Sequence, residues 1–340
     1  MTERPLNGRT VIEFGQLIPG PYAGRVLEDL GARVVKIEPP QGDAMRQFNP
    51  RLFAYLNAGK ECISLDMKQA RDRDDFRARV QGADAFIDGF RAGVCERLGA
   101  GYDELRLLNP KLVYVSISAF GRERNRPAHD INCEALSGVL HGYLHQVQPM
   151  LPIAPLANIF AGIMAAIHVI SHFAEQSDRG KYLDLSMQHA CAYGHAPLLL
   201  EGLQLQAGEA ITPLGTMHAA VVHRCADGEW LAIATQEPWI WDRLMAVLGL
   251  SDLERIGYQT SGPGLAKGRA KLAECFAQAP REHWLRLLTD ADLPVTPVLS
   301  PEEALTDMRT YGAGVVPSTP NFDFDGAFPL PNAVNARGQS

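Results

Sequence analysis

The chain has no C-x-x-C pair, although it carries six cysteines, Cys62, Cys95, Cys133, Cys191, Cys225 and Cys275. Their scatter excludes a zinc ribbon and gives no disulfide framework, so reduced thiols are expected. No run of about 18 apolar residues appears, and the opening MTERPLNGRT is polar. Neither a membrane-spanning helix nor a secretory signal is expected, which points to the cytoplasm. An excess of positive charge is also missing. Lys and Arg number 32 against 39 Asp and Glu, a formal net charge of -7, and nucleic acid, whose phosphates need clustered cations, is not the expected partner. There is no internal repeat. What is present is 340 residues of 46% hydrophobic content, enough for a large core in one large or two moderate domains.

Short β-rich runs alternate with helical ones through the first half, the pattern of βαβ units on a parallel sheet. TVIEFG (10–15), RVVKIEPP (33–40), CISLDM, AFIDGF, LVYVSISAF and KYLDLSM (181–187) read as strands. Helices are predicted over 21–32, begun by Pro21 in its first turn, and over 68–83, 101–110 and about 157–176. Gly and Pro around 206–216 mark a boundary. Beyond it AAVVHRC and EWLAIAT read as a hairpin about Ala226-Asp227-Gly228, followed by helices near 238–249, 266–277 and 281–290. The division expected is a large α/β domain over 1–205, a smaller domain over 206–300 and a C-terminal segment, 301–340, returning to the large domain. The tail beyond about 316 has little periodicity and reads as a surface wrap.

Motifs of known chemistry are sparse. Gly15, Gly20 and Gly24 follow the first strand without G-x-G-x-x-G spacing, and only Glu38 stands near where a ribose would need an acid, so dinucleotide binding is weakly supported. His141 and His145, and His168 and His172, are i,i+4 pairs, but neither has the Glu of H-E-x-x-H or a third ligand, and no metal is expected. The segment PAHDINCEALSGVL (127–140) is more telling. Asp130 reads as a helix N-cap, with His129 one residue outside and free to face a cleft as a general base.

Several stretches together resemble the class III coenzyme A transferases, the CaiB/BaiF family that also contains α-methylacyl-CoA racemases. They are LNGRTVIEFGQLIPGPYAGRVLEDLGARVVKIEPPQGD, NAGKECISLDMK, ADAFIDGFRAGVCERLGAGYDELRLLNPKLVYVSISAFG, AHDINCEALSGVL, GKYLDLSMQHA and CADGEWLAIATQEPWIW. The resemblance implies an open, mainly parallel Rossmann-like sheet that binds coenzyme A, a smaller α+β domain and an interlocked dimer. AHDIN is nearest the racemase branch. It implies His129 as the base and Glu237, in ATQEPWIW, as the carboxylate that orients it; Glu237 also reads as an acid at the start of a helix. Lys36, Lys60 and Arg91 are the implied coenzyme A phosphate contacts, with Arg97 and Arg46 as further cations. Asp130 joins the binding residues because backbone N–H groups of the helix it opens, or others near Asn158, would meet the enolate oxygen.

The chain departs from the family at Asn158, which stands where the family carries an aspartate in a motif like G-D-x-x-G, and at Ala154, where racemases carry asparagine. In racemases that aspartate is the second acid/base; in transferases it attacks the thioester. An amide does neither. The resemblance therefore implies α-proton chemistry on an acyl-CoA thioester, racemisation or a one-base variant such as isomerisation or elimination. Two alternatives stand beside it. One is a coenzyme A transferase whose nucleophile has moved to Asp130 or Glu134, and the other is a silent coenzyme A-binding subunit paired with an active relative. Coenzyme A enters as part of the substrate, no tightly bound cofactor is expected, and a homodimer is the expected assembly.

Overall fold

The structure, a computed structural model, describes residues 4–144, 154–207, 220–235, 237–253 and 263–311. In chain order the elements are β1 (Thr10–Phe14), α1 (Pro19–Asp29), β2 (Arg33–Glu38), α2 (Met45–Phe48), α3 (Pro50–Asn57), β3 (Glu61–Ser64), α4 (Ala70–Gln81), β4 (Ala85–Asp88), α5 (Val94–Arg97), α6 (Tyr102–Leu108), β5 (Val113–Ser118), α7 (Asp130–Leu136), α8 (Val139–Leu144), α9 (Leu156–Ala174), β6 (Lys181–Ser186), α10 (Met187–Gly194) and α11 (Ala196–Gln206). Then come β7 (Ala220–Arg224), β8 (Trp230–Ala234), α12 (Pro238–Leu248), α13 (Pro263–Phe276), α14 (Arg281–Asp290), β9 (Val295–Pro297) and α15 (Pro301–Tyr311). The tail beyond 316 and His145 lie outside the described residues.

Two compact units divide the chain after Leu199, the second being Leu200–Thr310. In the first, six strands pair in the order β3-β2-β1-β4-β5-β6, parallel at every ladder. Their alternation explains why these strands read as near-continuous apolar runs, since both faces are covered. Val11, Val34 and Val115 face α1 and α9, which contribute Ala23, Leu27, Ala161 and Ala165. Ile12, Phe14, Ile37, Phe86 and Tyr114 face the other layer, where α4 supplies Phe76 and Val80. The order reverses between β1 and β4, and at that switch point ligands meet the carboxyl ends of open α/β sheets.

Contrary to the expectation from apolar runs, α9 is apolar enough over 19 residues, with a mean hydropathy of 1.6, to cross a membrane by length and composition. Polar residues such as Asn158, Ser171 and His172 break its run. One stripe, Ala157, Ala161, Ala165 and Val169, is buried against the sheet layer, as in the core helix of a globular unit.

The second unit is built as its periodicity predicts. β7 and β8 form the hairpin, Arg224 opposite Trp230, with Gly228 in the left-handed region at φ 87°. β9 adds a third antiparallel strand that was too short to read from sequence. Trp241, Leu244, Phe276, Trp284 and Leu288 close its core.

Glycines of the first unit act by closeness. A Cβ on Gly15 would stand 3.1 Å from Gly89 Cα, so the β1 and β4 loops meet backbone to backbone at the switch point. A Cβ on Gly24 would collide with Glu13 Oε2 and lie 2.9 Å from Lys60 Nζ. Gly24→Ala is therefore expected to lower stability by about 1–3 kcal/mol through overpacking. Gly202→Ala, where nothing lies within 4 Å in an exposed helix, is expected to raise it by up to about 1 kcal/mol. Urea denaturation of both variants checks the contrast, and equal midpoints would remove the packing role of Gly24.

Candidate active site

A cleft of about 580 Å³ opens at the carboxyl ends of β1, β4 and β5. Its walls are the loop after β1 (Gln16 to Pro19), the loop after β4 (Gly89 to Ala92), the segment from Ile117 through Gly121 to Asp130, and Asn158 at the head of α9.

The first wall is held from beneath by buried charge. Parallel register sets Glu13 beside Lys36. Lys36 Nζ donates to Glu13 Oε1 at 2.8 Å and to the Gly15 carbonyl at 2.9 Å, and pairs with Asp43 at 3.0 Å. Lys60 Nζ donates to the other Glu13 oxygen at 2.6 Å, to the Pro21 carbonyl at 2.7 Å and to Asn57 Oδ1 at 3.2 Å. Both lysine side chains are wholly buried. Burial would raise the Glu13 carboxyl, but the two ammonium groups outweigh it and hold it below the usual range. Burial likewise works against Lys36, yet Glu13 and Asp43 keep its pKa above the ordinary value, whereas burial prevails at Lys60 and lowers it to about 8. An ammonium has three donors, and all are engaged in each case. Lys36 and Lys60, the cations expected at coenzyme A phosphates, do not line the cleft, and their ammonium groups face protein acceptors. Asp43 carries the effect upward. Its Oδ1 accepts the N–H groups of Leu17 at 3.1 Å and Met45 at 2.9 Å, pinning Leu17 at φ 66°, a left-handed conformation a leucine adopts only under constraint.

Arg122 fixes the opposite wall. Its guanidinium bonds Asp88 at the end of β4, Glu96 and Ser116 Oγ, and its N–H donates to Asp184 at 2.9 Å. Beyond this anchor run Arg124, Asn125 and Arg126, all on the cleft, with Arg126 stacked 4.5 Å over Phe120. Arg91 joins them. Its Nε donates to Asn125 Oδ1 at 2.5 Å and Asn125 Nδ2 donates to the Ala92 carbonyl at 3.1 Å, so the two loops are latched together. Arg91, Arg124 and Arg126 make a basic rim on an acidic protein; the last two were missed, although the run GRERNRP advertises them. Arg97 is exposed and off the cleft, and Arg46 is held bidentately by Glu38 at 2.8 Å and over the Phe53 ring.

His129, Asp130 and Asn158 share this cleft. The helix starts one residue earlier than expected: His129, in an extended conformation, is the N-cap of α7, and its N–H donates to Asn132 Oδ1 at 2.9 Å. Asp130 is the first helical residue and its carboxylate does not cap its own helix. It accepts the N–H of Asn158 at 2.7 Å, while Glu134 accepts that of Leu156 at 3.2 Å. The N–H of Asn158 is therefore already bonded. Glu237 belongs to the second unit, where it is the exposed N-cap of α12. Of the histidine pairs, His172 is buried with Nδ1 3.3 Å from Glu175, and no three metal-ligating side chains gather among the described residues.

Comparison with known proteins gives this geometry a family. The chain is 32% identical over 313 residues to human α-methylacyl-CoA racemase, spanning 88% of this chain and 79% of that protein. It is 30% identical over 327 residues to acetyl-CoA:oxalate CoA-transferase of Acetobacter aceti, spanning 88% and 82%. A CaiB/BaiF family protein from Brucella suis superposes with a TM-score of 0.79 at 24% identity over 97% of this chain and 95% of that one, a likeness of fold. The sequence pattern of CoA-transferase family III matches residues 6–338, and the chain, an α/β enzyme of the kind that acts on coenzyme A thioesters, belongs to that family.

Proposed function

We propose that this enzyme removes the α-proton of an acyl-CoA thioester, with His129 as the base. The observation that carries the reading is the meeting of His129, Asp130 and Asn158 in one cleft below a rim of three arginines. Coenzyme A brings a 3′-phosphate and a pyrophosphate, and Arg91, Arg124 and Arg126 are the cations positioned for them. A second cavity of about 310 Å³, lined by Pro39, Pro40 and Leu65, shares Gln16 and Phe90 with the cleft and offers room for the nucleotide end.

At the thioester end, the His129 imidazole takes the α-proton, the C–H electrons pass into the enolate, and the enolate oxygen is met by N–H at the start of α7. Asn158 offers hydrogen bonds only. One base suffices for proton exchange, a double-bond shift or elimination of a β-substituent, while inversion needs a second acid.

Transferase chemistry is the second reading, since a transferase stands among the relatives. It needs a carboxylate nucleophile near the thioester. Asp130 and Glu134 are the nearby carboxylates of α7, and both already accept N–H bonds from α9, which lowers their nucleophilicity and fixes their direction.

NMR in D₂O with 2-methylacyl and straight-chain acyl-CoA thioesters follows α-proton exchange and chirality together. His129→Ala is expected to lower exchange by about 10²–10⁴-fold, the usual worth of a general base; full exchange in that variant would end the reading. Calorimetric titration with coenzyme A separates the cations. Arg91→Ala and Arg126→Ala are each expected to weaken binding about tenfold, as for loss of one charge-assisted hydrogen bond. Lys36→Met should act instead on folding, and tenfold weaker binding by a stably folded Lys36→Met protein would reverse the assignment.

A further inference from the structure

On α7, Asp130 and Glu134 stand one turn apart, and both reach past their own helix to the first turn of α9. First-turn N–H groups have no partner within their helix; here those of Leu156 and Asn158 are closed from a neighbour. The two carboxyl groups thus serve N–H groups two residues apart on α9, and Glu134 is only 1% exposed. A carboxyl buried beside a second carboxyl favours its protonated form, since a single proton between the two turns repulsion into a hydrogen bond. Proton abstraction at His129 makes no use of Glu134, which lies behind the cleft, yet Asp130 and Asn158 both line it.

We propose that Asp130 and Glu134 form a one-proton clamp that fixes the first turn of α9, and with it Asn158, against the His129 end of α7, with Glu134 as the positioning residue whose proton the clamp requires. The clamp rests on the α-proton reading only for its effect on turnover. Titratable neighbours come from two helices, Asp130 and Cys133 on α7 and Cys191 on α10. From α9 Glu134 meets the Leu156 N–H, and no cation is among the groups that shift it. Burial first, then the hydrogen bond and charge of Asp130, push Glu134 up to about 7. A carboxyl raised in this way supports the fold fully at acid pH, and that support is lost as pH rises through about 7.

Hydrogen–deuterium exchange of the full chain between about pH 4.5 and about pH 8, corrected for the intrinsic rate, tests the clamp at the first turn of α9. Glu134→Gln keeps an acceptor for Leu156 and a donor for Asp130 but does not titrate. Protection in the unaltered protein is expected to fall by up to about tenfold per pH unit between about 4.5 and about 7 and to level off above it, and in Glu134→Gln to stay at its low-pH level throughout. Protection that is flat with pH in the unaltered protein, or that falls equally in Glu134→Gln, overturns the proposal. Thioester α-proton exchange separates this from the His129 reading. A flattened alkaline limb of kcat/KM in Glu134→Gln supports the clamp, and an identical limb in both proteins overturns its role in turnover. If no protein exchanges α-protons while the pH-dependent protection is present, the clamp stands and the His129 reading falls.

Discussion

Glu13 between two lysines is the contact on which the cleft depends. A carboxylate and two ammonium groups with no solvent exposure would be prohibitively costly apart, so each must find all its partners at once. Those partners come from separate places: β1, β2, the Asp43 loop after β2, α1 through the Pro21 carbonyl, α3 through Asn57, and the Gly15 carbonyl of the β1 loop. Because Gly15 and, through Asp43, Leu17 are among the groups held, the electrostatic demand of the interior fixes the wall of the site. Gly24 has no side chain for the same reason, since the ion pair occupies that space.

The same interior explains what the sequence could and could not disclose. The six parallel strands, the hairpin and most long helices announce themselves by local periodicity, and the strand order follows from βαβ crossovers. Lys36 and Lys60 are implied as phosphate contacts by the family resemblance, and a lysine looks the same in sequence whether it faces a ligand or a buried carboxylate. Register supplies the distinction, through the pairing of position 13 with position 36. Asp130 was read as a local cap for a related reason: the preference of Asp for a helix start is local, but its partner here is 28 residues away. Arg124 and Arg126 were legible as a basic run. What was not legible is that Arg122, the first of the series, is tied inward to Asp88, leaving the others to the rim.

His129 and Asn158 are the residues whose types argue against each other. A base at the N-cap of α7 is useful only if the enolate is stabilised and then discharged, and the amide at 158 can do neither by titration. The local charge makes the change intelligible. A carboxylate at 158 would be a third acid near Asp130 and the buried Glu134, with no lysine or arginine among the groups that shift Glu134. Each added negative charge there would raise the affinity of its neighbours for protons. With an amide at 158, Asp130 remains an acceptor for the α9 backbone and one proton satisfies the pair. Under the proposed α-proton reading, an amide at 158 suits reactions that finish on the face from which the proton was taken, or by loss of a leaving group, better than inversion.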